Sequence, residues 1–525
     1  MKTIKQKALV AALAAAGVSM FSGVAGAVAL SSEGTGEALI YPYYTARGAT
    51  NTLISVVNTT TQGKVVKVRF REAKDSRDVL DFNLFLSAYD VWTGAVTQNV
   101  LGTGARLLTN DTSCTSPNKA AFTNLGNGVY AVDFFKFEYE FNDASAIHGT
   151  NALAAPQSLD RTLDGYVEII EMATVPIDTA LYTAIAHVNG VAPCTATVVP
   201  ASAVGDRVLG QLPPSGGLFG AATFVATGSL GMSTTTNAVA LNGFARLSNI
   251  SAPNSDQPNL RDHGSCTAAV IDGTQVVVAS TAAVCPPPNV QSIAHANAVT
   301  AVLASTKLSG EYSYSADLAA ATDWVITMVG KSYYTDPTLT GSLLPIAPFS
   351  NIWRPKAQLA SEAVSLVDTD REEGRGSAVT CSTNPNLPEC TFSPRPPDQE
   401  VVGAALNWES GTVSFGPKTS GPSAVLMSNN NAWFAGRQQT IKDGGWLEMT
   451  FTGANASVGI SGTVISSLSF TTGAATKVAG SSVTFTGLPV IGFSIAQAKV
   501  TSAPAGQPLN NYQSSATLTY TRGIK

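Results

Sequence analysis

Two pairs of glutamates have the spacing at which carboxyl groups do acid–base work. Carboxyls held about 5–10 Å apart across a groove can protonate a glycosidic oxygen while the partner acts as base or nucleophile. Phe135, Phe137, Tyr139 and Phe141 alternate with Lys136, Glu138 and Glu140. That period-two pattern predicts a strand carrying both glutamates on one face. Glu168 and Glu171 fall in a second strand candidate; three residues apart, they point to opposite sides of a regular strand. The competing reading for all four is plain solvation of a sheet's outer face.

Asp368, Asp370, Glu372 and Glu373 form the densest acidic cluster. Hard oxygen donors close together in a loop suit Ca²⁺, although the Asp-x-Asp-x-Asp-Gly layout is missing and Arg371 and Arg375 neutralise part of the charge. No other cofactor is implied. The histidines, His148, His187, His263 and His295, never stand four apart, the spacing that puts two ligands on one helical face. There is no Gly-x-Ser-x-Gly elbow, and no Cys-x-x-Cys-His for haem, which removes an electron-transfer role of that kind. Val276 to Cys285 is similar to the segment around the catalytic histidine of trypsin-like proteases, but Val284 stands where the imidazole belongs. Without that base a serine proton has no acceptor, so the run reads as a buried strand leading into a disulfide. Tyr41-Pro42-Tyr43-Tyr44 and Tyr333-Tyr334 suit either sugar stacking or core anchoring.

The elements that must position these groups are mostly strands. Val66, Val68 and Phe70 alternate with Lys67, Arg69 and Arg71, which predicts one dry and one wet face. Leu53 to Val57 followed by Asn58-Thr-Thr-Thr-Gln-Gly63 reads as a hairpin into that strand. Leu447/Met449/Phe451, Val483/Phe485 and Leu518/Tyr520 repeat the alternation near the end. Ala-rich Val290 to Ser305 predicts a helix, continued after a break over Asp317–Ala321. Leu343 to Pro348 is too proline-rich for a helix or a strand. The expected fold is mainly β, with two or more antiparallel β-sandwich-like domains and minor helix. Pro213 to Gly217 marks a boundary between an N-terminal β-rich domain at 28–212 and a C-terminal one at 218–525. An exposed, Pro/Asn/Cys-rich excursion is expected at about 368–399.

Lys2, Lys5 and Lys7, the apolar stretch Ala8 to Phe21 and Ala25-Gly26-Ala27 have the layout of a cleavable signal peptide at 1–27, with Ala29 as the alternative site. The apolar stretch is short and Ala-rich for a membrane span, which needs roughly 20 apolar residues, so the mature chain is expected to carry no transmembrane helix. Removing those lysines leaves 28 basic against 36 acidic residues, a formal charge of -8. That balance disfavours nucleic acid. Six cysteines, Cys114, Cys194, Cys266, Cys285, Cys381 and Cys390, are an even set and suit disulfides in an exported chain. Order along the chain favours Cys114–Cys194, Cys266–Cys285 and Cys381–Cys390. The chain does not end on the aromatic residue typical of outer-membrane barrels, and its strand candidates are irregularly spaced.

Leu39-Ile-Tyr-Pro-Tyr-Tyr44, Leu53-Ile-Ser-Val-Val-Asn58, Val79 to Trp92, Thr322-Asp-Trp-Val-Ile-Thr327 and Gly487 to Phe493 together resemble an uncharacterised family of secreted, cell-surface proteins of proteobacteria. The resemblance spans most of the mature chain and implies surface or extracellular residence, with no activity or site residues to carry over. Met328-Val-Gly330 departs from that family's more Pro-containing continuation. The expected role is therefore that of a secreted non-enzymatic cell-surface or extracellular protein, structural or adhesive, acting by self-association or by association with surface components. The alternative is a carbohydrate-binding or glycoside-hydrolysing exported protein.

Overall fold

A computed structural model describes residues 26–524 apart from 153–154, 228–230, 246, 263, 289, 315–318, 369–400, 416–419, 435–444, 452–458 and 499–510. The fold is mainly β, as the alternation implies, with sheets of twelve, seven, six and five strands and few helices. Ala38–Thr45, Asp164–Val175, Gly63–Glu72 and Asp78–Leu86 lie side by side and antiparallel in the twelve-stranded sheet. Strands from both sides of residues 213–217 belong to that sheet, so hydrogen bonding continues across the expected boundary.

The seven-stranded sheet stacks on it. Its Thr50–Asn58 strand sits between Leu218–Ala226 and Val91–Gln98. Ile54, Val56, Trp92 and Phe224 from this sheet meet Tyr41, Val68, Phe70 and Phe82 from the other in one buried cluster. The Tyr41 hydroxyl donates to the Ser55 carbonyl at 2.7 Å. A Cβ at Gly220 would stand 2.0 Å from the Tyr41 hydroxyl oxygen, so only glycine lets the ring close over the sheet. Residues 58–63 therefore join two stacked sheets and are not the hairpin the sequence suggests. Tyr41, Tyr43, Tyr44, Tyr333 and Tyr334 are buried, so they are core anchors rather than exposed platforms.

The face expected to be wet is dry. Lys67, Arg69 and Arg71 are buried, the first two beneath the segment 251–258. Lys67 Nζ donates to the carbonyls of Ala252 (2.7 Å) and Pro253 (2.9 Å). Arg69 donates to those of Ser255 (2.8 Å) and Pro258 (2.6 Å). Those carbonyls and the carboxylates of Asp78, Asp81 and Glu168 take the place of water, which is what allows charges on a sheet to be covered.

The aromatic alternation at 135–141 is also not a strand. The strand Val129–Asp133 ends before it, and Phe137–Asp143 is a helix with Glu138 and Glu140 in its first turn. Acidic residues suit that position, where the helix dipole is positive. Lys136 and Glu140 pair four apart at 3.0 Å, a helical spacing that the same sequence satisfies equally well. Ile293–Leu303 forms the helix expected within 290–305, whereas Ala321 opens a strand rather than a helix continuation. Residues 343–348 form neither helix nor strand.

Two disulfides are formed as expected, Cys114–Cys194 and Cys266–Cys285. Cys381, Cys390, Asp370, Glu372 and Glu373 lie outside the described residues, as does the signal segment up to residue 25; Asp368 ends the strand Glu362–Asp368. Among the described residues no helix is long and apolar enough to cross a membrane.

Candidate functional site

The described surface holds a cleft of about 370 Å³ between the turn after Gly63–Glu72, the Phe137–Asp143 helix and the covering segment 251–261. One wall is apolar, with Leu80, Phe82, Phe122 and Val132 behind Phe135 and Phe137. Phe135 and Phe137 remain 49% and 61% exposed, and their rings lie 6.5 Å apart. The strand end at Asp133 and the tight start of the helix turn both rings outward.

The opposite wall is charged and internally paired. Asp78 receives Arg69 Nε at 2.9 Å and Arg71 Nη1 at 3.2 Å. Arg71 also holds Glu168 at 2.9 Å and donates to the Tyr333 hydroxyl at 3.2 Å. Arg261 lies over the same tyrosine ring, 5.3 Å from its centroid, and donates to Gln291, which in turn donates to Asp256. Burial opposes ionisation of Asp256, but Arg69 and Arg71 outweigh it and hold its pKa below the usual value. Burial pushes Asp81 up to about 6 against Arg69 and Lys67, and brings Lys67 down to about 8. Burial, followed by the negative charge of Asp78, raises Glu138. This half-buried carboxyl lines the cleft beside the aromatic rim.

A second network fixes the helix and the turn. Arg161 bridges Glu72 (2.7 Å) and Asp143 (2.6 Å), and its guanidinium stacks 4.1 Å from the Tyr139 ring centroid. Trp353 Nε1 donates to Asp143 at 2.9 Å. Arg77 pairs with Asp75 and Asp336. These contacts tie parts of the chain far apart in sequence to the floor of the cleft.

The glutamates singled out from the sequence separate. Two positions apart on a helix is roughly 200° of rotation, so Glu138 faces the cleft while Glu140 pairs with Lys136 at the surface. Glu168 is buried against Arg71. Glu171 is buried against Lys64 and accepts the Gly216 amide at 2.9 Å. Those two carboxylates hold the sheet together and do not line the cleft. The sequence does not single out Asp78, Asp256 or Arg261, whose only local sign is an unusually charged strand, whereas Tyr333, one of the tyrosines weighed as a stacking platform, is buried in the cleft wall. Comparison with known proteins returned no match to a family model, a curated protein or a solved structure.

Proposed function

We propose that the chain is an exported, non-catalytic surface protein of adhesive type, and that the cleft is its recognition site for a glycan. The carrying observation is the pairing of an exposed aromatic rim, Phe135 and Phe137, with a wall whose carboxylates are already engaged by guanidiniums. Such a wall offers hydrogen-bonding groups with little net charge, and aromatic rings offer an apolar face to a sugar. That combination suits a neutral polyol better than an ion or a lipid.

Export is supported by the signal layout, by the two disulfides and by the resemblance to secreted surface proteins. The strand Val28–Leu30 pairs with Val239–Asn242 and Thr267–Asp272. Cleavage after Ala27 leaves that strand whole, whereas cleavage after Ala29 removes two of its residues. N-terminal sequencing of the secreted form is expected to begin at Val28.

The test is a glycan array with the purified mature protein, followed by Phe137→Ala. Saturable binding that weakens when the ring is removed supports the reading; no binding to any glycan, or unchanged binding without the ring, overturns it. A second reading is favoured by one observation: Glu138 and Asp78 line the same cleft, and burial, followed by the charge of Asp78, raises the Glu138 carboxyl. Two carboxyl groups facing one cleft are the arrangement used in glycoside hydrolysis. In that case the pair is Glu138 with Asp78, not with Glu140. Turnover abolished by Glu138→Gln would establish it.

A further inference from the structure

We infer that Cys266, Cys285 and His295 form a soft-metal site that reduction opens. In the oxidised protein the two sulfurs are bonded to each other, and the His295 imidazole lies against both. Its Nδ1 is 3.6 Å from the Cys266 sulfur and 4.0 Å from that of Cys285. The three donor atoms all fall within 4.8 Å of one another. With Zn–S about 2.3 Å and Zn–N about 2.0 Å, tetrahedral ligand atoms stand roughly 3.5 Å apart. The sulfur–nitrogen spacings are thus nearly those of a ligand set, and only the sulfur–sulfur spacing is held short by the covalent bond.

The elements bring these residues together from three directions. Cys266 precedes the strand Thr267–Asp272, and Cys285 lies in the loop after Gln275–Ser280. His295 is in the first turn of Ile293–Leu303, whose start is fixed by the Ser292 hydroxyl accepting the Ala294 amide. Cys266 and His295 are buried, while Cys285 is partly exposed. A reductant therefore reaches the bond from the Cys285 side, on a loop that is neither helix nor strand and can move by the extra ångström or two. The other disulfide is different: the Cys114 sulfur has the Ala184 carbonyl beside it at 3.8 Å.

The chemistry balances with a dithiol as reductant. Two thiolate attacks transfer two electrons, the dithiol closes to its own disulfide, and Cys266 and Cys285 emerge as thiols. A divalent soft ion such as Zn²⁺ then displaces both thiol protons to solvent, and His295 Nδ1 supplies the third ligand. The chemical class follows from the donors: two thiolates and an imidazole select zinc-like ions over Ca²⁺ or Mg²⁺.

The experiment uses the full mature chain, reduced with dithiothreitol, desalted without oxygen and titrated with Co²⁺ as the probe. One Co²⁺ per chain with thiolate-to-metal absorption bands, displaced by Zn²⁺, is expected. The C114A/C194A/C381A/C390A variant, in which Cys266 and Cys285 are the only cysteines left, should behave the same way, while adding C266S/C285S to it should abolish the bands. Loss of a group that only hydrogen-bonds to a ligand weakens metal sites by about 10–100-fold, so H295Q, which loses a ligand itself, should bind Co²⁺ at least about tenfold more weakly. Absence of the bands in both reduced wild type and C114A/C194A/C381A/C390A overturns the proposal. So does H295Q binding as tightly as wild type, or unreduced protein binding Co²⁺ with the same spectrum.

Discussion

Lys64 Nζ lies 2.8 Å from a Glu171 carboxylate oxygen, with neither side chain exposed. The ammonium also donates to the hydroxyls of Thr174 (3.2 Å) and Ser215 (2.7 Å), so the pair sits in a closed polar pocket between two strands of the largest sheet.

Removing one partner strands a buried charge, which costs about 3–5 kcal/mol. Lys64→Ala and Glu171→Ala should each lower unfolding free energy by that amount in urea titrations. The double replacement Lys64→Met with Glu171→Gln removes both charges and keeps an acceptor for the Gly216 amide. It should recover at least about 1–2 kcal/mol relative to either single variant. A double variant no more stable than the singles would show that the ion pair itself is not what the site requires.

Local sequence pattern revealed what neighbours along the chain determine. The strand Gly63–Glu72 and the helix Ile293–Leu303 are in this category; the two disulfides follow cysteine order along the chain instead. Alternation states which side chains share a face, not what lies on that face. Lys67 and Arg69 read as solvated because the carbonyls that bury them come from residues 252–258, more than 180 positions away. The run Phe135 to Phe141 satisfies period two and four-residue spacing together, and the helix prevails where Tyr139 can sit under Arg161. The cleft shares this difficulty. Asp78, Asp256 and Tyr333 become one wall only after the sheet has formed.

Stability should fall as pH rises through the range between 4.5 and 7. Burial, with a further contribution from Glu171, pushes Glu37 from 4.5 up to about 7, against hydrogen bonds from the Ala245, Gly243 and Phe244 amides. Its folded pKa lies above the unfolded one, so in that window the folded state binds the extra proton. Stability is full below pH 4.5 and is lost on the way to pH 7. The contribution is roughly 3 kcal/mol. Glu37→Gln keeps an acceptor for the Ala245 amide and should flatten this part of the profile. Urea unfolding between pH 4.5 and 8 measures it; parallel profiles for wild type and variant would contradict the assignment.

The two disulfides should differ in what they contribute. Cys114–Cys194 closes a separation of 80 residues and Cys266–Cys285 one of 19. Loop entropy in the unfolded chain then gives about 4.5 and about 3 kcal/mol respectively. Paired Cys→Ala variants compared by denaturant titration should show the longer loop as the larger loss. The reverse order would place the shorter bridge's contribution in the folded state instead.

The aromatic rim separates recognition from folding. Phe137 is 61% exposed, so Phe137→Ala should leave unfolding free energy within about 0.5 kcal/mol of wild type. If that ring carries one face of a bound sugar, affinity should drop roughly 3–10-fold, the worth of one aromatic contact. Phe224 makes the contrast, because it is buried between the sheets and stacks on Phe493 at 5.4 Å; Phe224→Ala should cost about 3–5 kcal/mol in stability. Glu138→Gln distinguishes the two readings of the cleft. In a binding protein it alters affinity modestly and no product forms from any glycan, with wild type or variant. In a hydrolase it removes turnover while the sugar still binds. Isothermal titration and product chromatography on the same three variants provide both readouts, and a Phe137→Ala protein that binds as wild type does would dissociate the rim from recognition altogether.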